Sequence, residues 1–123
     1  MPNAIVHFEI PADNPKKLID FYTHLFEWKI EPMPGAEDYW TIRTGEGSIG
    51  GGLLRRSVPS QAALNYVRVE SVEAHCRRAE ARGGRVVHQK QPIPGVGWFA
   101  IVADPEGNLV GLFEEDASAA MPS

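Results

Sequence analysis

Two polar side chains near the N-terminus have the spacing of a shared face on a β-strand. His7 and Glu9 stand two residues apart in the stretch AIVHFEIPAD. Side chains alternate across a strand, so these two point one way and their apolar neighbours point the other. An imidazole beside a carboxylate can act as a general base, bind the polar end of a small molecule, or supply two ligands of a metal site. A fourth interpretation, a hydrogen-bonded pair without chemistry, also stays open.

The composition limits the classes of partner. The chain has 123 residues, of which 43% are hydrophobic and 23% charged, as in a single soluble domain with one core. The 12 basic and 16 acidic side chains give a net charge of −4 without a basic stripe, which argues against nucleic acid as a partner. The lone Cys76, the lack of an export signal and the lack of an apolar run of about 20 residues predict a cytoplasmic protein without a membrane partner.

The element pattern occurs twice. Asn14 and Ser71 each have the features of a helix N-cap after a strand, and each helix is followed by three extended segments. In the second half of the chain, the last two extended segments are joined by the turn 104–108, whose Asp-Pro-Glu-Gly-Asn sequence favours a hairpin. The offset between the halves is about 57 residues. We therefore predict one α+β domain over 1–123.

The predicted domain consists of two tandem βαβββ modules, at about 1–58 and 59–117, and a flexible tail at 118–123. Each module alone would leave one sheet face uncovered. Side by side, the two modules are expected to form a curved, partly closed mixed sheet with both helices on the convex face. The concave face would then be free for a small-molecule ligand.

Three stretches of the chain resemble the vicinal-oxygen-chelate superfamily, which includes glyoxalase I, bleomycin-resistance proteins and extradiol dioxygenases. They are VHFEIPADNPKKLIDFYTHLFEWKI, VESVEAHCRRAEARGGRV and PGVGWFAIVADPEGNLVGLFE. The resemblance implies a divalent metal on the concave face. In glyoxalase I four strands each supply one ligand, typically two His and two Glu. Members of the superfamily are commonly homodimers, which we expect here as well.

Three of the four expected ligand positions hold residues of this chain that cannot bind a metal. His7 matches the first, the second falls at or next to Gly51, the third at or beside Leu64, and the fourth on Gly111. Glycine and leucine side chains cannot coordinate a metal, so the standard glyoxalase I reaction is not expected. A rebuilt divalent-metal site on His7 and Glu9 stays open.

Other residues are expected to line the ligand cavity. Because Val67 and Val69 face the helices, Tyr66 and Arg68 should face the cavity, and the alternation of the last strand adds Phe113 and Gly111, whose missing side chain would leave room for a ligand. Trp98 follows the loop PIPGVG and is either part of a lid or a cap on the rim of the core. The remaining histidines are interpreted as surface residues, and the face of Tyr39 is uncertain by one residue.

Two functions follow from these residues. The first is a small-molecule-binding protein of the bleomycin-resistance type with a degenerate metal site, which needs an apolar cavity with a few polar anchors. The second is an enzyme, either a lyase, an isomerase or a dioxygenase-like catalyst, with His7 or Glu9 as general base or in a non-standard metal site.

Overall fold

The computed structural model describes residues 3–121. It divides into two compact units, one of residues 6–64 and the other of residues 3–5 and 65–121. Each unit follows the order strand, helix and three strands. The predicted α+β class and the twofold βαβββ pattern are therefore confirmed.

The first unit is a four-stranded mixed sheet with one helix. Its strands lie in the order β2-β3-β4-β1; β1 and β4 run parallel, and the other neighbours run antiparallel. Its elements are β1 (Ile5–Ala12), α1 (Pro15–Leu25), β2 (Lys29–Pro32), β3 (Tyr39–Arg43) and β4 (Gly50–Arg55).

The second unit repeats this topology. The strand order is β5-β8-β7-β6, and again the first and last strands of the unit, β5 and β8, are the parallel pair. Its elements are β5 (Leu64–Arg68), α2 (Val72–Ala81), β6 (Arg85–Ile93), β7 (Gly97–Ala103) and β8 (Leu109–Glu115).

Both helices begin where the capping residues predicted. The Asn14 side chain accepts a hydrogen bond from the backbone N–H of Lys17 at 3.2 Å, and Ser71 accepts one from Ala74 at 3.1 Å. The hairpin turn is also confirmed, since the N–H of Asp104 donates to the carbonyl of Asn108 at 2.8 Å. Among residues 3–121, no helix is long and apolar enough to cross a membrane.

Each helix covers one face of the sheet in its own unit. In the first unit, Leu18 and Ile19 of α1 pack against a buried cluster of Ala12, Ile42 and Leu53. In the second unit, α2 packs on the corresponding face of its sheet, where its Val72 forms a buried cluster with Val69, Ala100, Val102 and Leu112. The opposite face of each sheet is called its helix-free face below.

The segment after β8 is held against the loop before β7. The N–H of Asp116 donates to the carbonyl of Val96 at 3.0 Å, and the N–H of Gly95 donates to the carbonyl of Ala119 at 3.0 Å. Ala119 is only 3% exposed. Packing thus extends through Ala119, into the segment 118–123 that the sequence predicts as a flexible tail; residues 122 and 123 of that segment lie outside the described residues.

Candidate functional site

Strand β1 places His7 and Glu9 on the helix-free face of the first unit. Phe8 and Ile10, which alternate with them, pack against the core under α1. The side chain of His7 is 37% exposed and that of Glu9 19% exposed. The orientation that the sequence predicted for both residues agrees with this arrangement.

Tyr39 joins these two residues from strand β3. Its neighbours Trp40 and Ile42 belong to the core, so alternation turns Tyr39 to the helix-free face. The Tyr39 hydroxyl donates to Glu9 Oε2 at 3.0 Å and lies 3.1 Å from His7 Nε2, while His7 Nε2 and Glu9 Oε2 are 3.8 Å apart. His7, Tyr39 and Glu9 are called the polar set below.

Burial and charge keep the proton on Tyr39. Burial raises the pKa of Tyr39 well above its ordinary value, and the negative charge of Glu9 and its hydrogen bond raise it further. With the single phenolic proton donated to Glu9, the phenolic oxygen is free to accept from His7, and His7 Nε2 then carries a proton. This orientation of the set presents an imidazole N–H, a phenol and a carboxylate as one connected group.

Two neighbouring glycines on β4 make room for side chains on opposite faces of the sheet. Gly51 pairs with Phe8, and a Cβ on Gly51 would come within 2.6 Å of the Phe8 ring, so Gly51 faces the core. Gly52 pairs with Glu9 and faces the polar set, where a Cβ would overlap the Tyr39 hydroxyl. The sequence placed the expected second ligand position at or next to Gly51; of these two glycines, Gly52 is the one on the face of the polar set, with the Tyr39 hydroxyl where its side chain would lie.

The donor set does not fit a tightly held divalent ion. Two ordinary ligands, His7 and Glu9, are present, but catalytic zinc sites commonly use three protein ligands. The nearest third group is the Tyr39 phenol, which is hydrogen-bonded to Glu9 and is a poor ligand for most divalent ions. Within residues 3–121, no three or more His, Cys, Asp or Glu side chains are grouped so that they could hold a metal.

In the second unit, the expected cavity residues on β5 and β8 share the helix-free face. Tyr66 pairs with Gly111, and Arg68 pairs with Phe113. The ring of Tyr66, which is 7% exposed, covers Gly111 so closely that a Cβ there would overlap it. The sequence suggested that Gly111 leaves room for a ligand. That expectation is wrong, because Tyr66 fills the space above Gly111.

Trp98 lies on the other face of this sheet. It packs against the core cluster of the second unit, and its Nε1–H donates to Asp116 Oδ2 at 3.0 Å. Lys90 Nζ lies 4.5 Å from the centroid of its ring. Of the two interpretations open for Trp98, the structural one is correct, and Trp98 is not a cavity residue, because alternation along β7 turns it toward α2.

Sequence reasoning missed two residues of the helix-free face. Phe99 follows Trp98 and therefore points the opposite way, toward Tyr66, with ring centroids 6.4 Å apart. His88, which the sequence assigned to the surface, stacks on Phe99 with centroids 5.2 Å apart. Alternation along GWFAIVA could have identified Phe99. The face of His88 could not have been found in this way, because irregularities on both sides of it in β6 break the simple alternation.

Arg68 takes part in an open groove at one end of the second unit. Its Nη2 pairs with Glu115 Oε2 at 2.8 Å, while its buried Nε has no hydrogen-bond partner among residues 3–121. The groove has a volume of about 260 Å³ and is lined by Arg68, Val69, Glu70, Glu114 and Glu115. Glu114 points to the helix side, and its carboxylate accepts from the N–H of Val72 at 3.0 Å.

Known proteins are similar to this chain in sequence. "Putative glyoxylase CFP32" of Mycobacterium tuberculosis is 27% identical over 115 residues, which are 90% of this chain and 44% of that protein. The anthracycline biosynthesis protein DnrV of Streptomyces peucetius is 26% identical over 132 aligned positions, covering 93% of this chain and 48% of that protein. The chain thus spans about half the length of the curated relatives it matches.

A solved structure supports the fold, and a family model supports the family. A superfamily member from Vibrio splendidus 12B01 matches with a TM-score of 0.69 and 12% identity over 94% of this chain and 100% of that chain, a likeness that shows the fold alone. The sequence model for the family matches residues 4–112. The chain belongs to the Glyoxalase/Bleomycin resistance protein/Dioxygenase superfamily.

Proposed function

We propose that this chain is a small-molecule-binding protein that uses the polar set as its anchor and needs no metal for binding. The observation that carries the proposal is the position of the Tyr39 hydroxyl, which is hydrogen-bonded to Glu9 and within hydrogen-bond distance of His7. A tyrosine that keeps its proton orients the carboxylate and the imidazole without a metal ion.

The polar set suits a ligand whose polar end donates hydrogen bonds. The carboxylate of Glu9 accepts, and because the Nε2–H of His7 donates to Tyr39 in this orientation, the other ring nitrogen of His7 is an acceptor as well. Both side chains are partly exposed, so a ligand can reach them. Since the two groups are fixed by Tyr39, little conformational freedom is lost when a ligand binds, which favours affinity.

The experiment is a thermal-shift screen of a small-molecule library against the wild-type protein and the Tyr39→Phe variant. Each hit is then titrated by calorimetry. Loss of one hydrogen bond that orients the anchor is expected to weaken binding by about five- to tenfold. Tyr22→Phe is the matched control, because it removes a phenol hydroxyl from α1, on the other face of the sheet. Equal affinities in all three proteins would contradict the proposal.

An enzyme is the second candidate, and the same hydrogen bonds favour it. A carboxylate and an imidazole linked through a phenol can take up and release protons, as lyases and isomerases require. This candidate predicts that a bound compound is converted or exchanges hydrogen with solvent D₂O, measured by mass spectrometry. Conversion must be lost in His7→Gln and kept in Tyr22→Phe; a ligand recovered unchanged and undeuterated would favour binding alone.

The assembly and location of the protein are also proposals. We expect a homodimer, which sedimentation equilibrium tests directly at several protein concentrations. We expect a cytoplasmic location, which fractionation of the source cells tests. Neither expectation is needed for the binding role of the polar set.

A further inference from the structure

Three rings form a row on the helix-free face of the second unit. His88 stacks on Phe99 with ring planes 23° apart, and Phe99 meets Tyr66 edge to face with planes 69° apart. Each residue comes from a different strand, β6, β7 and β5. His88, Phe99 and Tyr66 are called the aromatic row below.

Glycines beneath the rings let the aromatic side chains lie close to the sheet. Gly111 lies under Tyr66, and Gly97 lies under Phe113, where a Cβ would come within 2.9 Å of the Phe113 ring. A side chain at either position would push a ring away from the backbone. The rings therefore lie close to the backbone of the sheet. Phe113 stands directly opposite Phe99 in the β7–β8 pairing.

Tyr66 is buried, whereas Phe99, Phe113 and His88 lie outside the buried core of the second unit. That core lies on the opposite face, where α2 covers Ala100 and Val102, the residues that alternate with Phe99 along β7. Phe99, Phe113 and His88 stay partly exposed. Aromatic rings that remain accessible and hold a fixed mutual geometry are suited to contact another flat ring.

We infer that the aromatic row binds a planar aromatic small molecule by stacking. The inference rests on the proposed binding function and deepens it, since it names the class of ligand that this face of the second unit takes. Offset stacking on rings such as His88 and Phe99 adds about two- to tenfold in affinity beyond the effect of buried area. A saturated ring of the same size lacks this contribution, so the row distinguishes flat rings from puckered ones.

The test compares two probes that share a carboxylate and a carbon skeleton, naphthalene-2-carboxylate and decahydronaphthalene-2-carboxylate. Each is titrated into the full chain and followed by NMR, with the ring resonances of His88 and Phe99 as reporters. We expect the aromatic probe to bind at least about threefold more tightly than the saturated one. Phe99→Leu keeps an apolar side chain but is expected to remove the preference, whereas Val87→Ala, on an exposed position of β6, keeps it.

The outcomes separate this inference from the proposed function. If both probes bind the wild-type protein equally and Phe99→Leu changes neither, ligand binding stands and the aromatic preference is overturned. If neither probe binds up to its solubility limit, the inference is also overturned, while the proposed function is decided by the Tyr39→Phe screen. If Phe99→Leu does not fold, His88→Leu at its partly exposed position provides the same comparison.

Discussion

The hydroxyl of Tyr39 lies in the space that a side chain at Gly52 would fill. Gly52 pairs with Glu9 on β1 and with Thr41 on β3, so the absence of its side chain lets Tyr39 reach across β4 to the polar set. The resemblance drawn from the sequence places an expected metal-ligand position at or next to Gly51 on this strand. At Gly52 the missing side chain instead gives room to the Tyr39 hydroxyl, which is hydrogen-bonded to Glu9.

The first prediction tests this relationship through stability. Gly52→Ala places a methyl group against the Tyr39 hydroxyl, and such overpacking is expected to lower the free energy of unfolding by about 1–3 kcal/mol. In a Tyr39→Ala background the same substitution no longer meets the phenol and is expected to have a much smaller effect. Urea denaturation of the four proteins in this cycle measures the difference. Equal losses in both backgrounds would show that the two residues do not compete for space.

A second prediction concerns alkaline pH. The pKa of Tyr39 is raised in the folded protein above its ordinary value of about 10, first by burial and then by Glu9. The folded state thus holds this proton more tightly, and the resulting stabilisation is present below about pH 10 and is lost as the pH rises through the folded pKa. The free energy of unfolding is expected to fall above pH 10 in the wild type and to fall less in Tyr39→Phe.

Chemical denaturation across this pH range measures that difference, and the absorbance of tyrosinate provides an independent readout. Tyr39→Phe is expected to remove a titration that occurs above the ordinary range, and Tyr22→Phe is expected to leave it in place. If Tyr39→Phe removes only a tyrosine titration in the ordinary range near pH 10, burial and Glu9 do not raise the pKa of Tyr39, and the prediction is contradicted.

The third prediction separates the two faces of β7. Trp98 packs against the core and donates to Asp116, so Trp98→Phe is expected to lower the free energy of unfolding by at least about 1 kcal/mol. The affinity for naphthalene-2-carboxylate is expected to be unchanged, in contrast to Phe99→Leu. A loss of affinity in Trp98→Phe would return this residue to the binding surface.

The fourth prediction concerns the turn between β7 and β8. The carboxylate of Asp104 accepts hydrogen bonds from the N–H groups of Glu106 and Asn108 and from the Asn108 side chain, and that side chain is the main cause of its lowered pKa. Its stabilising effect is present above the ordinary pKa near 4 and is lost as the pH falls through the folded value. Asp104→Ala is expected to destabilise the protein at neutral pH and to differ little from the wild type at low pH, as followed by thermal denaturation.

The sequence predicted the elements and the orientation of β1 because these depend on local signals. Capping at Asn14 and Ser71 and alternation around His7 are properties of a few adjacent residues. Tyr39 was not assigned a face because it follows a loop with glycine at φ 79° and with Asp38 at φ 54°, and such turns reset the alternation. Pairing across the sheet was needed to place Tyr39 beside Glu9.

Two other assignments depended on tertiary packing. Gly111 predicts open space only if the facing side chain points away, and Tyr66 fills that space instead. Trp98 follows a loop rich in proline and glycine, which favours a lid, but its strand neighbours Ala100 and Val102 show the side that it faces. A consistent use of alternation along β7 would have corrected Trp98 and identified Phe99.

The most direct test of the central claim is metal content. The untagged wild-type protein and His7→Ala are purified, incubated separately with Zn²⁺, Mn²⁺ or Ni²⁺, freed of loose metal on a desalting column and measured by elemental analysis. Because the polar set offers two ordinary ligands and a protonated phenol, we predict far less than one metal per chain, with no dependence on His7. Near-stoichiometric metal in the wild type that disappears in His7→Ala would contradict the account and place a rebuilt metal site at His7 and Glu9.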